Sequence, residues 1–200
     1  MIDSLVLATT NSGKLRDFRL LFEDSGIAIE LPGDHGVALE VEETGETFTD
    51  NALLKARAFA AALPGRAVLA DDSGLVVDAL GGDPGVRSAR YAGEPCDDRA
   101  NNRRVLTRME NITERGAAFV VVLALVLPGG EEVVVEGRCE GTIAFSERGS
   151  NGFGYDAIFF REDLGCTFGE ATPAQKNARS HRAAAVKALR AKLPPSQAAK

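Results

Sequence analysis

The sequence lacks the features that mark secreted, disulfide-bonded or membrane-spanning proteins. Its three cysteines, Cys96, Cys139 and Cys166, are odd in number and widely spaced, which suits neither a disulfide framework nor a metal site. The chain does not open with the basic segment and apolar run of a signal peptide. The longest apolar run, residues 117–127, is too short to cross a bilayer as a helix. We therefore expect a cytoplasmic protein with no membrane partner.

Positive charge is also scarce, and this limits the class of ligand. The formal net charge is −6 at pH 7. Such a balance argues against a general nucleic-acid binder, although a small anionic ligand can bind where basic residues are concentrated. The hydrophobic content of 44% and the length of 200 residues are ordinary for one globular domain with a substantial core. We expect a single domain over residues 1–193 and a flexible C-terminal tail over residues 194–200.

Two adjacent carboxylates follow a short apolar strand near the middle of the chain. Residues 67–70 are apolar on both faces and predict a buried strand, after which Asp71, Asp72, Ser73 and Gly74 predict a polar turn. Neighbours in a strand point to opposite faces, so one carboxylate should face the interior and the other a cleft. Oxygen ligands at a strand end suit magnesium. Taken alone, however, the same residues fit an ordinary turn better than a metal site.

A polar loop containing glycine follows the first predicted strand, residues 4–9. Asn11, Gly13 and Lys14 lie in this loop, and Leu15, Phe18, Leu21 and Phe22 then recur at helical spacing. The free N–H groups at the start of a helix bind phosphate well, and Lys14 adds a cation. The spacing of a Walker loop is absent. A helix cap with an incidental lysine is an equally good interpretation.

The acidic loop of residues 40–46 and the helix after it offer further candidates. An acidic run is usually solvated, but a second carboxylate here could complete a magnesium site with Asp72. Thr47 and Asp50 predict a capping box. In the helix that follows, Asn51 and Lys55 lie one turn apart, either at the surface or in reach of a phosphate.

Glycines flank Phe153, which leaves its ring either open to a flat purine or folded into the core. Near the C-terminus, His181 alone would usually be structural and Arg182 alone a surface charge.

The remaining elements predicted from the sequence are a strand at residues 27–31, a strand-like segment at 75–80, a helix at 97–109, two long strands at 117–127 and 132–145 joined by a hairpin turn, a strand at 157–160, and helices that begin at Thr172 and run to residue 193.

These stretches together resemble the inosine triphosphate pyrophosphatase family from about residue 5 to residue 193. The matching motifs are residues 10–14, 42–45, 48–56, 70–75, 84–91, 152–156 and 176–182. Each motif is weak by itself, but their order and combination are highly specific.

The resemblance implies an elongated, two-lobed α/β fold with a central mixed β-sheet flanked by helices and a nucleotide cleft between the lobes. It also implies a homodimer that depends on magnesium. The reaction would be hydrolysis of noncanonical purine nucleoside triphosphates (dITP, ITP and XTP) to the monophosphate and pyrophosphate, which cleanses the nucleotide pool.

The resemblance further implies roles for individual residues. Asp72 would accept a proton and bind magnesium, with Glu42, or Glu43 as the close alternative, as the second ligand. The residues implied to bind substrate are Thr9, Thr10, Asn11, Ser12, Gly13 and Lys14 with Lys55 and Lys176 at the triphosphate, Ser73, the base-and-sugar segment Phe153, Gly154, Tyr155 and Asp156 with Phe153 stacked on the base, and His181 and Arg182 at the base edge and phosphates. A donor such as Arg182 at the purine 6-oxygen would accept hypoxanthine, xanthine and guanine and reject adenine, so guanine would have to be excluded by a different feature at C2.

Two other functions stay open. One is a Maf-like pyrophosphatase for other modified nucleotides, which the loop with Asn11 and Lys14 alone would permit. The other is a non-catalytic nucleotide-binding module, which would bind tightly without turnover. Because Asp72, Glu42, Lys14 and Lys55 are all present, the sequence argues against an inactive site.

Overall fold

The computed structural model describes residues 2–193, so the predicted tail at residues 194–200 lies outside the described residues. The strands are β1 (Ser4–Leu7), β2 (Ala28–Glu30), β3 (Val68–Val77), β4 (Gly116–Val126), β5 (Glu132–Ile143), β6 (Phe159–Arg161) and β7 (Cys166–Thr167). The α-helices are α1 (Ser12–Phe22), α2 (Phe48–Ala62), α3 (Asp98–Arg108), α4 (Pro173–Asn177) and α5 (His181–Lys192).

The seven strands form one mixed sheet in the order β2-β1-β3-β4-β5-β6-β7. Strand β1 runs parallel to β2 and to β3, with Val6 opposite Val68. At the other end, β6 is antiparallel to both β5 and β7. This confirms the expected α/β class with a central mixed sheet and flanking helices.

The chain divides into two compact units, each with its own core. Among the described residues the first unit contains 2–72, 122–137 and 182–193, and the second contains 73–121 and 138–181. In the first unit, Ala52, Ala56 and Phe59 of α2 belong to a buried cluster with Val68 and Val122 of the sheet. The core of the second unit is more aromatic and includes Phe119, Phe159 and Phe168. Burial of each such phenylalanine stabilises a fold by about 1.5–3 kcal/mol.

Side-chain caps fix where helices α1 and α2 begin. Thr47 Oγ1 accepts the Asp50 N–H at 3.1 Å and Asp50 Oδ2 accepts the Thr47 N–H at 3.2 Å, which confirms the predicted capping box of α2. Asn11 Oδ1 accepts the Lys14 N–H at 3.0 Å and caps α1. The loop before each helix therefore has a defined conformation.

The prediction of a turn at Asp71 to Gly74 is wrong, because β3 continues through these residues to Val77. Ionic and hydrogen-bonding partners from other elements satisfy the polar groups that would otherwise favour a turn. One example is the Asp71 carbonyl, which accepts from the Lys55 ammonium at 2.6 Å. Another is the Leu75 N–H, which donates to the Ser88 hydroxyl at 2.9 Å. Tertiary contacts therefore override the local turn propensity.

Smaller differences occur at element boundaries. Strand β6 begins at Phe159 rather than at residue 157, because the Ile158 N–H donates to the Tyr155 carbonyl and closes a turn there. The predicted strand-like segment 75–80 ends at Val77, and a 3-10 turn covers Asp78–Leu80. Within residues 2–193, none of the helices combines the length and apolar character needed to span a membrane.

Candidate active site

A buried cluster of opposite charges surrounds Asp71 in the first unit. Asp71 Oδ2 lies 3.0 Å from the Lys14 ammonium and 3.5 Å from Arg182 Nη2, and the Asp71 side chain is only 1% exposed. Arg182 Nη1 lies 3.4 Å from the carboxylate of Asp17, which is also buried. The first turn of α1, the middle of β3 and the start of α5 therefore meet through these ionic contacts.

Lys55 connects the acidic loop to β3. Its ammonium lies 2.6 Å from Glu43 Oε1, donates to the Asp71 carbonyl at 2.6 Å, and lies 3.9 Å from Asp72 Oδ1. The Lys55 side chain is only 10% exposed, so it is not a surface lysine.

Asp72 is held by α2 as well as by β3. The Asn51 amide donates to Asp72 Oδ2 at 3.1 Å, and Asn51 Oδ1 accepts the Gly45 N–H at 2.7 Å. A Cβ on Gly45 would lie 2.6 Å from Asp50 Cβ, so only glycine fits this close approach. The acidic loop and the Asp72 carboxylate therefore share one anchoring side chain.

The two neighbouring aspartates have opposite pKa shifts. Burial raises the pKa of Asp71, but the charges of Lys14, Arg182 and Lys55 outweigh burial and lower it to about 2. Burial also raises the pKa of Asp72, and since the Glu43 charge adds to this effect while Lys55 opposes it, the pKa reaches about 6. Asp71 is therefore an anion at neutral pH, whereas Asp72 exchanges its proton near pH 6.

The two lysines are shifted in different directions as well. Burial lowers the pKa of Lys14, and the neighbouring Lys55 and Arg182 lower it further, although Asp71 opposes this. Burial would also lower the pKa of Lys55, but Asp71, Asp72 and Glu43 outweigh burial and raise it. Lys55 is therefore a secure cation beside the acidic loop.

Asp72 and Glu43 are the residues here that could hold a divalent cation. Both carboxylates lie within 3.9 Å of the same Lys55 nitrogen, and carboxylate oxygens suit magnesium. Glu42 is exposed, so the geometry favours Glu43, the alternative given with Glu42 from the sequence. Within residues 2–193, no group of three or more His, Cys, Asp or Glu side chains is arranged to hold a metal ion. The protein's pair therefore fits magnesium only together with oxygens from water or a bound phosphate.

The loop predicted to bind phosphate leads into α1. Thr9 is half-buried and its hydroxyl accepts the Asn11 N–H at 3.1 Å, while Thr10, Asn11 and Ser12 are exposed. Gly13 is buried within the first turn of α1. An 11-residue helix thus begins at an exposed polar loop, as the sequence predicts.

A second polar cluster, in the second unit, surrounds Phe153. It is half-buried, and its N–H donates to Asp156 Oδ2 at 3.0 Å. The Lys176 ammonium binds the same oxygen at 2.6 Å and lies 4.7 Å from the centroid of the Phe153 ring. A Cβ on Gly152 would lie 2.0 Å from the Asp156 carboxylate, so glycine is required there. Lys176, assigned from the resemblance to the triphosphate, therefore contacts the segment expected to bind the base.

Other residues implied by the resemblance have packing contacts in the second unit. Tyr155 is 5% exposed and its hydroxyl donates to the Ser88 carbonyl at 2.7 Å. The His181 ring is buried and stacks on Phe119 at a centroid distance of 5.0 Å. Ser73 is half-buried within β3. Burial of Tyr155 also raises the pKa of its hydroxyl.

Comparisons with known proteins settle the family. The sequence profile of the Ham1 family matches residues 5–192. The chain belongs to the Ham1 family. This confirms the resemblance to the inosine triphosphate pyrophosphatase family.

Relatives and solved structures agree with this assignment. A protein of Shouchella clausii named dITP/XTP pyrophosphatase is 49% identical over 94% of this chain and 96% of its own length. The structure of the Staphylococcus aureus Ham1 protein gives a TM-score of 0.83 at 43% identity, covering 94% of this chain and 96% of that one. A Mycobacterium abscessus structure described as a nucleoside-triphosphatase and dITP/XTP pyrophosphatase gives 0.74 at 46% identity, covering 96% of this chain and 98% of that one. The Ham1 fold is therefore shared over nearly the whole chain.

Sequence reasoning missed Asp71 and Asp17 as members of the charged cluster. Asp71 was visible only as the neighbour of Asp72. Asp17 follows Lys14 by three residues, which places both on one face of α1 and is a signal that could have found it.

Proposed function

We propose that this Ham1-family protein hydrolyses noncanonical purine nucleoside triphosphates, dITP, ITP and XTP, to the monophosphate and pyrophosphate. The observation that carries the proposal is the arrangement around Lys55, whose ammonium contacts Glu43, Asp72 and the Asp71 carbonyl. Carboxylates and ammonium groups in such close contact suit the transfer of a phosphoryl group to water. The names of the relatives specify the class of substrate.

The triphosphate would bind at the start of α1. The free N–H groups of this helix, the exposed loop before it and the Lys14 ammonium together favour phosphate oxygens. Lys14 and Lys55 would stabilise the negative charge that develops on the departing pyrophosphate.

Asp72 and Glu43 would hold magnesium, with phosphate oxygens completing its ligands. When bound, this ion offsets phosphate charge and favours the ionised form of an attacking water. The requirement for magnesium is part of the proposal and is supported by the oxygen-only donor set.

Asp72 would act as the general base for the attacking water. With its pKa near 6, it is mainly ionised at neutral pH, and it remains basic enough to accept a proton. A bond forms from the water oxygen to the α-phosphorus, the bond from that phosphorus to the bridging oxygen breaks, and the water proton passes to Asp72. Asn51 would orient the carboxylate through its hydrogen bond.

The Phe153 ring would stack on the purine, beside the Lys176 ammonium. Selection for a 6-oxygen by Arg182 remains a prediction, and in the structure its guanidinium pairs with Asp17 and Asp71. A homodimer and a cytoplasmic location also belong to the proposal. The three cysteines are free thiols, which supports a reducing compartment.

The test is product analysis with purified protein, dITP and magnesium. We expect dIMP and pyrophosphate in equal amounts, and dIDP with phosphate would refute the proposal. A panel of dITP, XTP, dUTP and dATP separates it from a Maf-like activity, because preference for dUTP would favour the latter. Tight binding without turnover would favour the non-catalytic module. The control is Asp72→Asn, which should abolish pyrophosphate release and leave the fold intact.

A further inference from the structure

The peptide groups of Gly154 are held from both sides by one turn of α3. Asp98 Oδ2 accepts the Gly154 N–H at 2.7 Å, and the Asn102 amide donates to the Gly154 carbonyl at 3.2 Å. Asp98 and Asn102 are four residues apart, so they lie on the same face of the helix. All three residues belong to the second unit.

These contacts restrict the residue immediately before Gly154. The Phe153 N–H is fixed by Asp156, and the next N–H along the chain is fixed by Asp98. Gly154 itself has a φ of +60°, a left-handed conformation that glycine adopts readily, and its N–H and carbonyl are both hydrogen-bonded to α3. The backbone on both sides of Phe153 is therefore held by two carboxylates, Asp156 from the same loop and Asp98 from α3.

The two α3 residues that contact the loop differ in their exposure. Asp98 is exposed, whereas Asn102 is only 3% exposed. Loss of Asp98 therefore removes one strong hydrogen bond to the loop without opening a cavity.

We propose that Asp98 and Asn102 are positioning residues that hold the loop of Gly154, and with it Phe153, in the orientation that stacks on the purine base of the substrate. The inference rests on the proposed function. Their hydrogen bonds are to the loop expected to hold the base, so we expect them to act on the binding of the base and not on the chemical step.

The experiment compares Asp98→Ala with Asp97→Ala. Asp97 is the matched control because it caps the same helix by accepting the Ala100 N–H, and none of its described contacts involves the loop. We expect Asp98→Ala to raise KM for dITP about fivefold to tenfold, less than the loss of a whole stacked base, with kcat within about twofold. Asp97→Ala should change KM less than about twofold.

Three further measurements separate positioning from general damage to the fold. Inhibition by pyrophosphate, which has no base, should be the same in Asp98→Ala and the wild type. Asp98→Asn keeps an oxygen acceptor, so its KM should be close to that of the wild type. Asn102→Leu removes the second hydrogen bond and should also raise KM. An unchanged KM in Asp98→Ala, or an equal loss of pyrophosphate binding, would overturn the inference.

Amide hydrogen exchange keeps the test independent of turnover. Exchange at Gly154 should be faster in Asp98→Ala than in Asp97→Ala, and equal rates would overturn the inference even if the protein proved inactive. If the wild-type protein released no pyrophosphate from dITP, the proposed function would be refuted. The comparison of exchange rates at Gly154 between the two variants would still test the contact with Asp98.

Discussion

Adjacent aspartates on β3 should respond in opposite directions to the same substitution. Asp71 and Asp72 are both buried, but cations dominate around the first, whereas burial and a neighbouring carboxylate dominate around the second. Replacing aspartate by asparagine keeps the shape and removes the charge. We predict that Asp71→Asn lowers the free energy of unfolding at neutral pH and that Asp72→Asn raises it.

The magnitude for Asp71 follows from its pKa. A fall from 3.8 to about 2 corresponds to roughly 2 kcal/mol of stability, because a tenfold change in an equilibrium is worth about 1.4 kcal/mol. This contribution is fully present above pH 4 and is lost as pH falls through 2. Its source is the ion pairs with Lys14 and Arg182, which Asp71→Asn removes.

The charge of Asp72 has the opposite effect on the free energy of unfolding. A pKa raised from 3.8 to about 6 means that the folded protein favours the neutral carboxyl group. Its ionisation therefore costs up to about 3 kcal/mol, a cost that develops as pH rises from 4 through 6 and is complete above that. Asp72→Asn should relieve this cost at pH 7.5 and should have little effect at pH 4.

Urea unfolding followed by circular dichroism measures both effects, at pH 7.5 and pH 4 with a chelator present to remove divalent cations. The control is Asp163→Asn, since Asp163 is a half-exposed carboxylate that pairs with Arg161 and Arg179. It should change stability by less than about 1 kcal/mol. If both β3 variants lose stability at pH 7.5, or both gain it, the electrostatic account of this site is refuted.

Three other outcomes are expected. Lys55→Met should lower kcat/KM about 100-fold or more in steady-state assays. The control, Arg57→Met on the exposed face of the same helix, should change kcat/KM less than about twofold. Equal losses in the two variants would contradict the role of Lys55. Thr47→Ala should lower the free energy of unfolding by about 1 kcal/mol through loss of the α2 cap, whereas Thr49→Ala should not, and equal urea midpoints would contradict this. Carboxyl NMR of the metal-free protein should show one group that titrates near pH 6 and disappears in Asp72→Asn, and its survival there would assign it elsewhere.

Local pattern was enough to predict much of the fold. Helical spacing predicted α1, and the capping box at Thr47 predicted the start of α2, because these signals lie within a few residues of the chain. The long strand β4 was predicted from its apolar run, and β5 was predicted as its partner across a hairpin turn.

The site could not be completed from the sequence, because its geometry depends on contacts between distant segments. The turn predicted at Asp71 is a strand since Lys14 and Arg182, far away in the chain, satisfy its carboxylate. Glu43, and not Glu42, forms the ion pair with Lys55. The two glutamates are neighbours in an irregular loop, where no periodicity predicts which side chain faces Lys55.

The support of the Phe153 loop by α3 was also invisible. Asp98 and Asn102 fall in the helix predicted at residues 97–109, but nothing in their spacing indicates a partner more than fifty residues later in the chain. Contacts of this kind are set by the packing of whole elements.

The most direct test of the account is hydrolysis of dITP in water enriched in oxygen-18, with the position of the label read by mass spectrometry. Attack of water on the α-phosphorus, activated by Asp72, predicts one labelled oxygen in dIMP and none in pyrophosphate. Label in pyrophosphate instead would show attack at the β-phosphorus and would contradict the account.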